Sequence, residues 1–245
     1  MTAAAALRTR RAGGSALKLF FVSASLCTAA PAAAEVGATV SFFTDSRFRG
    51  YSLSAGHPVA VGDLSFDEGS GLYGAVSGSL VLGSGDGVRP LGLQLNGGYA
   101  KRVSPDLTLD LGAVHSSYTR YTSSGSARSY TELYAGVVHK YIAGRIAFSP
   151  HYFEAGARTL YGELNSNISP MHKVHVEAHA GLLVPLHYRG PDDPRTQYDW
   201  RLGVARDLGP LSLHAILTGG GPGRDYYRGH WHSRNALIVG ISCAL

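Results

Sequence analysis

The sequence is poor in cysteine and, past its first residues, has no long hydrophobic stretch. Only Cys27 and Cys243 occur among 245 residues, which excludes a disulfide framework and a cysteine metal site. Beyond residue 34 no run of 18 apolar residues is present, and this argues against a membrane-spanning helix. The P-loop, Rossmann and HExxH patterns are also absent, so the common nucleotide-binding and zinc-protease classes receive no support.

Residues 1–34 have the features of a secretory signal peptide. Four basic residues precede an apolar run over 19–30, which is too short to span a membrane, and three alanines at 32–34 offer a cleavage site. We therefore expect residues 1–34 to be removed on export. Removal takes away 4 of the 22 Lys and Arg residues and leaves 18 against 17 Asp and Glu. The basic character belongs largely to the leader and gives no evidence for nucleic acid binding.

Most of the remaining chain alternates apolar and polar residues with a period of two. The segment "LTLDLGAVH" (107–115) sets leucines and an alanine against threonine, aspartate and glycine. This alternation predicts strands with one apolar face and one polar or small face. About twelve such runs occur, each near the length that a tilted membrane strand needs. They lie at 36–47, 58–67, 71–83, 90–102, 107–119, 128–140, 144–153, 159–168, 173–186, 198–207, 211–219 and 235–245.

The connections between these runs alternate in character. Turns such as "DEGSG" and "VSPD" are short, whereas several of the intervening connections are longer and more polar, such as "YRGPDDPRTQ". Short turns at one end and longer loops at the other are typical of outer-membrane barrels. The predicted fold class is therefore all-β: an antiparallel transmembrane β-barrel of about 12 strands over residues 35–245, with both termini periplasmic.

A soluble β-sandwich or a lipocalin-like barrel is the alternative, because its strands also alternate. The membrane barrel is favoured because the second face is too polar and too rich in glycine for a dry core. Aromatic residues also collect near the ends of the runs, where the interfacial girdles of a membrane barrel lie. These residues are Tyr99, Tyr118, Tyr121, Tyr141, Tyr188, Tyr198 and Trp200.

The segment "TDSRFRGYS" (44–52) brings three charged residues to the end of the first run. If Val36, Val40 and Phe42 face lipid, parity places Asp45, Arg47 and Arg49 toward the lumen and Phe48 toward the lipid or the interface. An arginine facing lipid at the midplane would cost about 2–4 kcal/mol, but it costs little in a wet lumen. The charges are therefore expected at the channel mouth, where they would set ion selectivity. A salt bridge from Asp45 that only fastens the loop is the alternative.

The same region carries a family resemblance. Residues 40–81, beginning "VSFFTDSRFRGYSLSAG", resemble the start of the TorF-like putative porin family, a proteobacterial family of long-unknown function. The matching motif consists of Phe48, Arg49, Gly50, Ser52 and Ser54. The segment at 198–219 resembles the closing hairpin of that family, and the resemblance implies a porin-like outer-membrane barrel. One departure is the last residue, Leu245, where such strands usually end in an aromatic residue that assembly machinery reads.

Two further groups suggest other chemistry. His175, Glu177 and His179 share one strand face, but the first and last are about 13 Å apart at ~3.3 Å per residue, so one metal ion would reach only two of them. His230 and His232 are a weaker pair of the same kind. The segment "GHWHSRNA" (229–236) is similar to the His/Ser/Asn region of lipid A deacylase barrels. A serine nucleophile needs an adjacent base, and Ser233 directly follows His232, so on a strand their side chains point to opposite faces.

The sequence thus predicts a porin-like channel for passive diffusion of small solutes or ions, with no enzymatic role and no metal or cofactor. The expected partners are outer-membrane lipids and lipopolysaccharide, the barrel-assembly machinery and small solutes, but not nucleic acid. The alternatives are a non-conducting barrel that serves as a binding or structural module, and an outer-membrane lipid hydrolase. The lumen candidates, of mixed sign, are Asp45, Arg47, Arg49, Gln94, Asn96, Asp110, Arg145, Glu163, Asn165, His175, Glu177, Asp199 and Arg201.

Overall fold

The computed structural model describes residues 35–83, 87–119, 128–186 and 195–245. Within these ranges the chain forms strands β1 to β16, and the predicted signal peptide lies outside them. The bounds in chain order are Glu35–Phe43, Arg47–Phe48, Tyr51–Ser52, Val59–Asp67, Leu72–Leu82, Val88–Ser104, Leu107–Tyr118, Arg128–His139, Ile142–Ser149, Thr159–Met171, Val174–Pro185, Gln197–Leu208, Leu211–Gly221, Asp225–Tyr227, His230–His232 and Ala236–Ala244. In this part of the chain no helix is long and apolar enough to cross a membrane.

Twelve of these strands form one closed antiparallel barrel. Around the barrel the order is β1, β16, β13, β12, β11, β10, β9, β8, β7, β6, β5 and β4. Pairing of β1 with β16 closes the ring, with Thr39 opposite Ala244, so the sheet has no free edge. The all-β, antiparallel, twelve-stranded prediction is confirmed. Both described chain ends lie at one end of the barrel, the termini end, and the longer connections lie at the opposite, loop end.

Alternation along the strands separates an apolar outer surface from a polar lumen. On β1, Val40 and Phe42 are exposed on the outside, whereas Ser41 and Phe43 are buried on the inside. Large apolar side chains are exposed on all twelve barrel strands; Leu164, for example, retains 60% of its accessible surface. A soluble sandwich or lipocalin-like barrel would bury this face, so the apolar belt fits a hydrocarbon surrounding instead.

The predicted strands agree with the structure to within three residues at all but two ends. The first run was predicted to reach residue 47, but β1 ends at Phe43. The seventh was predicted to reach residue 153, but β9 ends at Ser149. Both overruns have one physical reason: the chain turns inward after the strand and buries aromatic side chains, Phe48 and Tyr152, in the lumen.

The predicted aromatic girdle needs one correction. Tyr99, Tyr141, Tyr198 and Trp200 are exposed on the outer surface, in agreement with the prediction. Tyr118 retains only 2% of its surface, because its ring points inward and packs against Phe48. The other two members of the set, at positions 121 and 188, lie outside the described residues.

Candidate constriction of the barrel lumen

The connection between β1 and β4, residues 44–58, folds back into the lumen; we call it the inward loop. Its tip is the small hairpin of β2 and β3, in which Arg47 pairs with Ser52 and Phe48 with Tyr51. The two turn residues have positive φ, 47° at Arg49 and 80° at Gly50. Turns with two left-handed residues match the twist of the flanking strands. Glycine is required at position 50 also because a Cβ there would lie 2.8 Å from an Arg234 nitrogen.

The tip of the inward loop reaches the opposite wall of the barrel. Arg49 Nη2 lies 2.8 Å from each carboxylate oxygen of Glu132 on β8, which is five strands from β1 in one direction and seven in the other. The guanidinium group also stacks on Tyr161 of β10, 3.7 Å from the ring centre. Both charged side chains keep only 7% of their surface. This ion pair therefore fastens the loop across the lumen.

Phe48 contradicts its predicted position at the lipid or the interface. It is buried inside the barrel, with its ring centre 6.0 Å from that of Tyr118 and 5.7 Å from that of Tyr130. Tyr152 and Phe153, from the connection between β9 and β10, complete the cluster. The prediction failed because it continued the parity of β1 past Phe43, where the strand ends. The aromatic cluster fills part of the lumen at the loop end.

Asp45 organises the root of the inward loop. Its carboxylate accepts hydrogen bonds from the hydroxyls of Ser52 and Ser54 at 2.6 and 2.7 Å. The other carboxylate oxygen accepts from Arg47 Nε at 2.8 Å. Asp45 therefore has the fastening contact that was the alternative interpretation of this segment, while Arg49 extends across the lumen. Ser52 and Ser54, two residues of the family motif, hold the loop through this carboxylate.

A second connection, between β13 and β16, braces the inward loop. Arg234 donates from Nη2 to the carbonyl of Arg49 at 2.7 Å, and its own carbonyl accepts from Arg47 Nη1 at 2.8 Å. Asp225 accepts from the backbone N–H of Ser52 at 2.7 Å. Arg234 and Asp225 keep 2% and 1% of their surface. The two connections thus form one packed unit at the loop end.

Below the inward loop, side chains from several strands meet across part of the lumen. Arg145 on β9 lies over the ring of Tyr134 at 4.1 Å and approaches Asp110 at 3.4 Å and Glu163 at 3.7 Å. Tyr134 donates to Asn96, and its hydroxyl also makes a short hydrogen bond with Tyr73. Gln94 donates to Ser116 at 3.1 Å. This network narrows the lumen on the side of β5 to β9.

The histidines of β11 bind neighbouring side chains. His179 contacts Asn165 at 2.7 Å and Asp199 at 2.8 Å. His175, nearer the termini end, contacts Ser169 at 2.8 Å and Asp207 at 2.9 Å. Within the described ranges no group of three or more His, Cys, Asp or Glu side chains is arranged to hold a metal ion. The histidines therefore act as polar members of the lumen wall in this structure.

A cavity of about 100 Å³ lies in the lumen beside the tip of the inward loop. Seven of the thirteen predicted lumen residues line it: Arg47, Arg49, Gln94, Arg145, Glu163, Asp199 and Arg201. The other six do not. Asp45 lies in the loop root, and the remaining five lie on inward faces of the wall away from the cavity: Asn96, Asp110, Asn165, His175 and Glu177.

The sequence reasoning missed several residues of this region, above all Glu132, Tyr161 and Arg234. Glu132 shares the inward parity of Tyr130 and Tyr134 on β8, so the alternation contained a signal for its position. Nothing local marks it as the partner of Arg49, which is 83 residues away in the chain. The tyrosines were overlooked because aromatic residues were expected on the outer girdle.

The residues of the hydrolase alternative have structural contacts. His232 stacks on Tyr227 with ring centres 3.7 Å apart and bonds to the carbonyl of that residue at 3.1 Å. Ser233 accepts from the backbone N–H of Asn235 at 3.1 Å. Each side chain thus stabilises the connection between β13 and β16, and these contacts lend no support to a serine–histidine pair.

The fold is that of solved outer-membrane porins. The NanC porin aligns over 86% of this chain and 100% of its own, with a TM-score of 0.54 and 11% identity. The KdgM porin aligns over 84% and 98%, with a TM-score of 0.51 and 8% identity. Identities this low establish a common architecture and nothing about solutes. No curated protein sequence matches the chain.

A family model described as a bacterial protein of unknown function, Gcw_chp, matches residues 28–233. The match covers most of the sequence, and the chain therefore belongs to the Gcw_chp family. The expected membership of a bacterial family without assigned function is confirmed, whereas the TorF-like name stays a prediction.

Proposed function

We propose that this member of the Gcw_chp family is an outer-membrane channel for passive diffusion of small solutes or ions, and that the inward loop forms its constriction. The observation that carries the proposal is the contact of Arg49 with Glu132 across a closed barrel. A twelve-stranded barrel is wider than the side-chain-filled eight-stranded type and narrower than open sixteen-stranded porins. A loop that crosses such a lumen sets the width and the charge of the path.

The outer surface supports a location in the outer membrane. Exposed apolar side chains surround the barrel on all twelve of its strands, as the hydrocarbon core of a bilayer requires. Outer-membrane lipids and lipopolysaccharide are then the surrounding partners, and the termini end faces the periplasm. Assembly by the barrel-assembly machinery is part of the same proposal.

The charges around the constriction predict weak ion selectivity. Arg49 is paired with Glu132, and Arg145 lies between two carboxylates. A solute therefore meets both signs at close range, so the lumen favours neither sign strongly. This role as a selectivity region is proposed for all thirteen lumen candidates, and most directly for Arg49 and Arg145.

A non-conducting barrel that acts as a binding module is the second candidate. The small volume of the cavity, about 100 Å³, and the two packed connections at the loop end favour it. A barrel closed in this way conducts only when the tip of the inward loop moves away from Glu132. A channel and a binding module thus differ in whether that movement occurs under a membrane potential.

Single-channel recording separates the two candidates. Residues 35–245, refolded and inserted into a planar bilayer under a salt gradient, are expected to give discrete, reproducible conductance steps. Arg49→Ala is expected to change both the step size and the reversal potential. Lys140→Ala removes the same charge from the exposed turn between β8 and β9 and serves as the control. A folded barrel without steps would refute the channel. Conductance steps and a reversal potential that are the same in Arg49→Ala as in the wild type would refute the proposal that the inward loop forms the constriction.

A further inference from the structure

The cavity beside the inward loop is lined by several arginines. Arg47, Arg49, Arg145 and Arg201 line it together with Glu132, Glu163 and Asp199. Arg47 is already paired with Asp45, and Arg49 with Glu132. A ligand in this cavity therefore depends on guanidinium donors that these pairs leave unused.

Arg49 has a hydrogen-bond donor that the protein does not use. Its Nη2 donates to both carboxylate oxygens of Glu132. Its Nη1 is buried and has no hydrogen-bond partner among the described residues. A buried donor without an acceptor costs free energy, and native proteins leave few of them. Stacking on Tyr161 holds the guanidinium plane in place, and Arg49 is one of the residues that line the cavity.

Arg145 has carboxylates near it but no short ion pair. The distances are 3.4 Å to Asp110 and 3.7 Å to Glu163, longer than the 2.7–2.9 Å typical of charge-assisted hydrogen bonds. The ring of Tyr134 supports the guanidinium at 4.1 Å. Arg145 is therefore positioned by an aromatic face and retains capacity for a closer anionic partner.

We infer that this cavity binds the carboxylate group of a small organic acid, with Arg49 Nη1 and Arg145 as the donors. Planar guanidinium groups match the two oxygens of a carboxylate. A volume of about 100 Å³ suits an acid of acetate size beside the loop. The inference deepens the proposed channel function, on which it rests, and names small carboxylates as the solute class.

Binding is tested on the refolded barrel in detergent, without any measurement of conduction. At constant ionic strength, replacement of chloride by acetate is expected to raise the midpoint of thermal unfolding in a saturable manner, because a ligand of the folded state stabilises it. Arg145→Gln is expected to shift the half-saturating acetate concentration upward by about tenfold or more. Arg128→Gln removes an arginine whose ion pair with Glu154 is exposed, and it is expected to leave acetate binding unchanged.

Arg49→Lys provides a second variant, since it keeps the charge near Glu132 but loses the planar donor, and it is also expected to weaken acetate binding. An unfolding midpoint that does not respond to acetate, or an equal response in wild type and Arg145→Gln, would overturn the inference. Inorganic phosphate that binds more tightly than acetate would overturn the assignment to carboxylates.

The two proposals fail separately. Conductance steps in potassium chloride, without acetate binding, would support the channel function and refute the carboxylate site. Acetate binding by a barrel that never conducts would refute the channel and support the binding module.

Discussion

Glu132→Gln should release the tip of the inward loop while leaving its root intact. The substitution keeps the shape of the side chain but removes its charge, so Arg49 remains buried without a counter-charge. Loss of one partner of a buried ion pair costs about 3–5 kcal/mol. The contacts of Asp45 and Asp225 with the root are unchanged, and the destabilisation therefore falls on the closed position of the tip.

The size of the effect follows from that cost. Each 1.4 kcal/mol changes an equilibrium about tenfold, so a loss of about 3 kcal/mol raises the fraction of barrels with the tip released by roughly 100-fold. Phe48 in the tip of the inward loop keeps only 7% of its surface and reports on this movement. In residues 35–245 with Cys243→Ala and Phe48→Cys, the thiol reacts with a charged maleimide in proportion to the population of released tip.

The control is Glu163→Gln, which removes a carboxylate from the same cavity. Glu163 is 3.7 Å from Arg145, which is not part of the inward loop, so labelling at position 48 should rise less than about threefold, as for a weak pair. Equal labelling rates in Glu132→Gln and Glu163→Gln would show that the ion pair with Arg49 does not hold the loop.

Three further predictions concern the loops and the outer surface. Gly50→Ala should lower the free energy of unfolding by about 1–2 kcal/mol in denaturant titrations, because φ at this position is 80°; Gly62→Ala, where a Cβ meets open space, should not. Burial raises the pKa of Asp225, so its contribution to stability is greatest below the ordinary carboxyl pKa of 3.8 and is lost as the pH rises through the raised value. The unfolding midpoint should therefore vary less with pH in Asp225→Asn than in the wild type. Leu164→Arg should cost about 2–4 kcal/mol in lipid vesicles, whereas Met171→Arg at the rim should cost about 0–1 kcal/mol.

The barrel was predictable because each strand carries its own signal. Lipid outside and water inside impose the same two-residue period on every strand, and one residue of shift would reverse both faces. Val40 and Phe42 on the outside and Ser41 on the inside follow directly from this period. The number of strands, twelve, could be predicted by counting these alternating runs along the sequence.

The inward loop was not predictable in the same way, since its position depends on contacts that are distant in the chain. Arg49 meets Glu132 across 83 residues, and Arg234 meets Arg49 across 185. Continuing the alternation of β1 past Phe43 correctly placed Arg49 in the lumen. It also placed Phe48 toward lipid, which is wrong because the strand had already ended. The turn residues Arg49 and Gly50 were the available sign that the strand had ended, as glycine favours the left-handed conformation found there.

The contacts of the inward loop are unequal, and this inequality determines how a path could open. Its root combines several short hydrogen bonds from Asp45 and Asp225 with packing against a second connection. Its tip contacts the far wall through the ion pair between Arg49 and Glu132, the stacking of Arg49 on Tyr161 and the packing of Phe48 against Tyr130. Of these contacts the ion pair is the one that a single change of charge removes, whereas release of the root breaks several short hydrogen bonds at once. If the barrel conducts as proposed, we expect its path to open between the tip and β8, beside the cavity that Arg49 and Arg145 line.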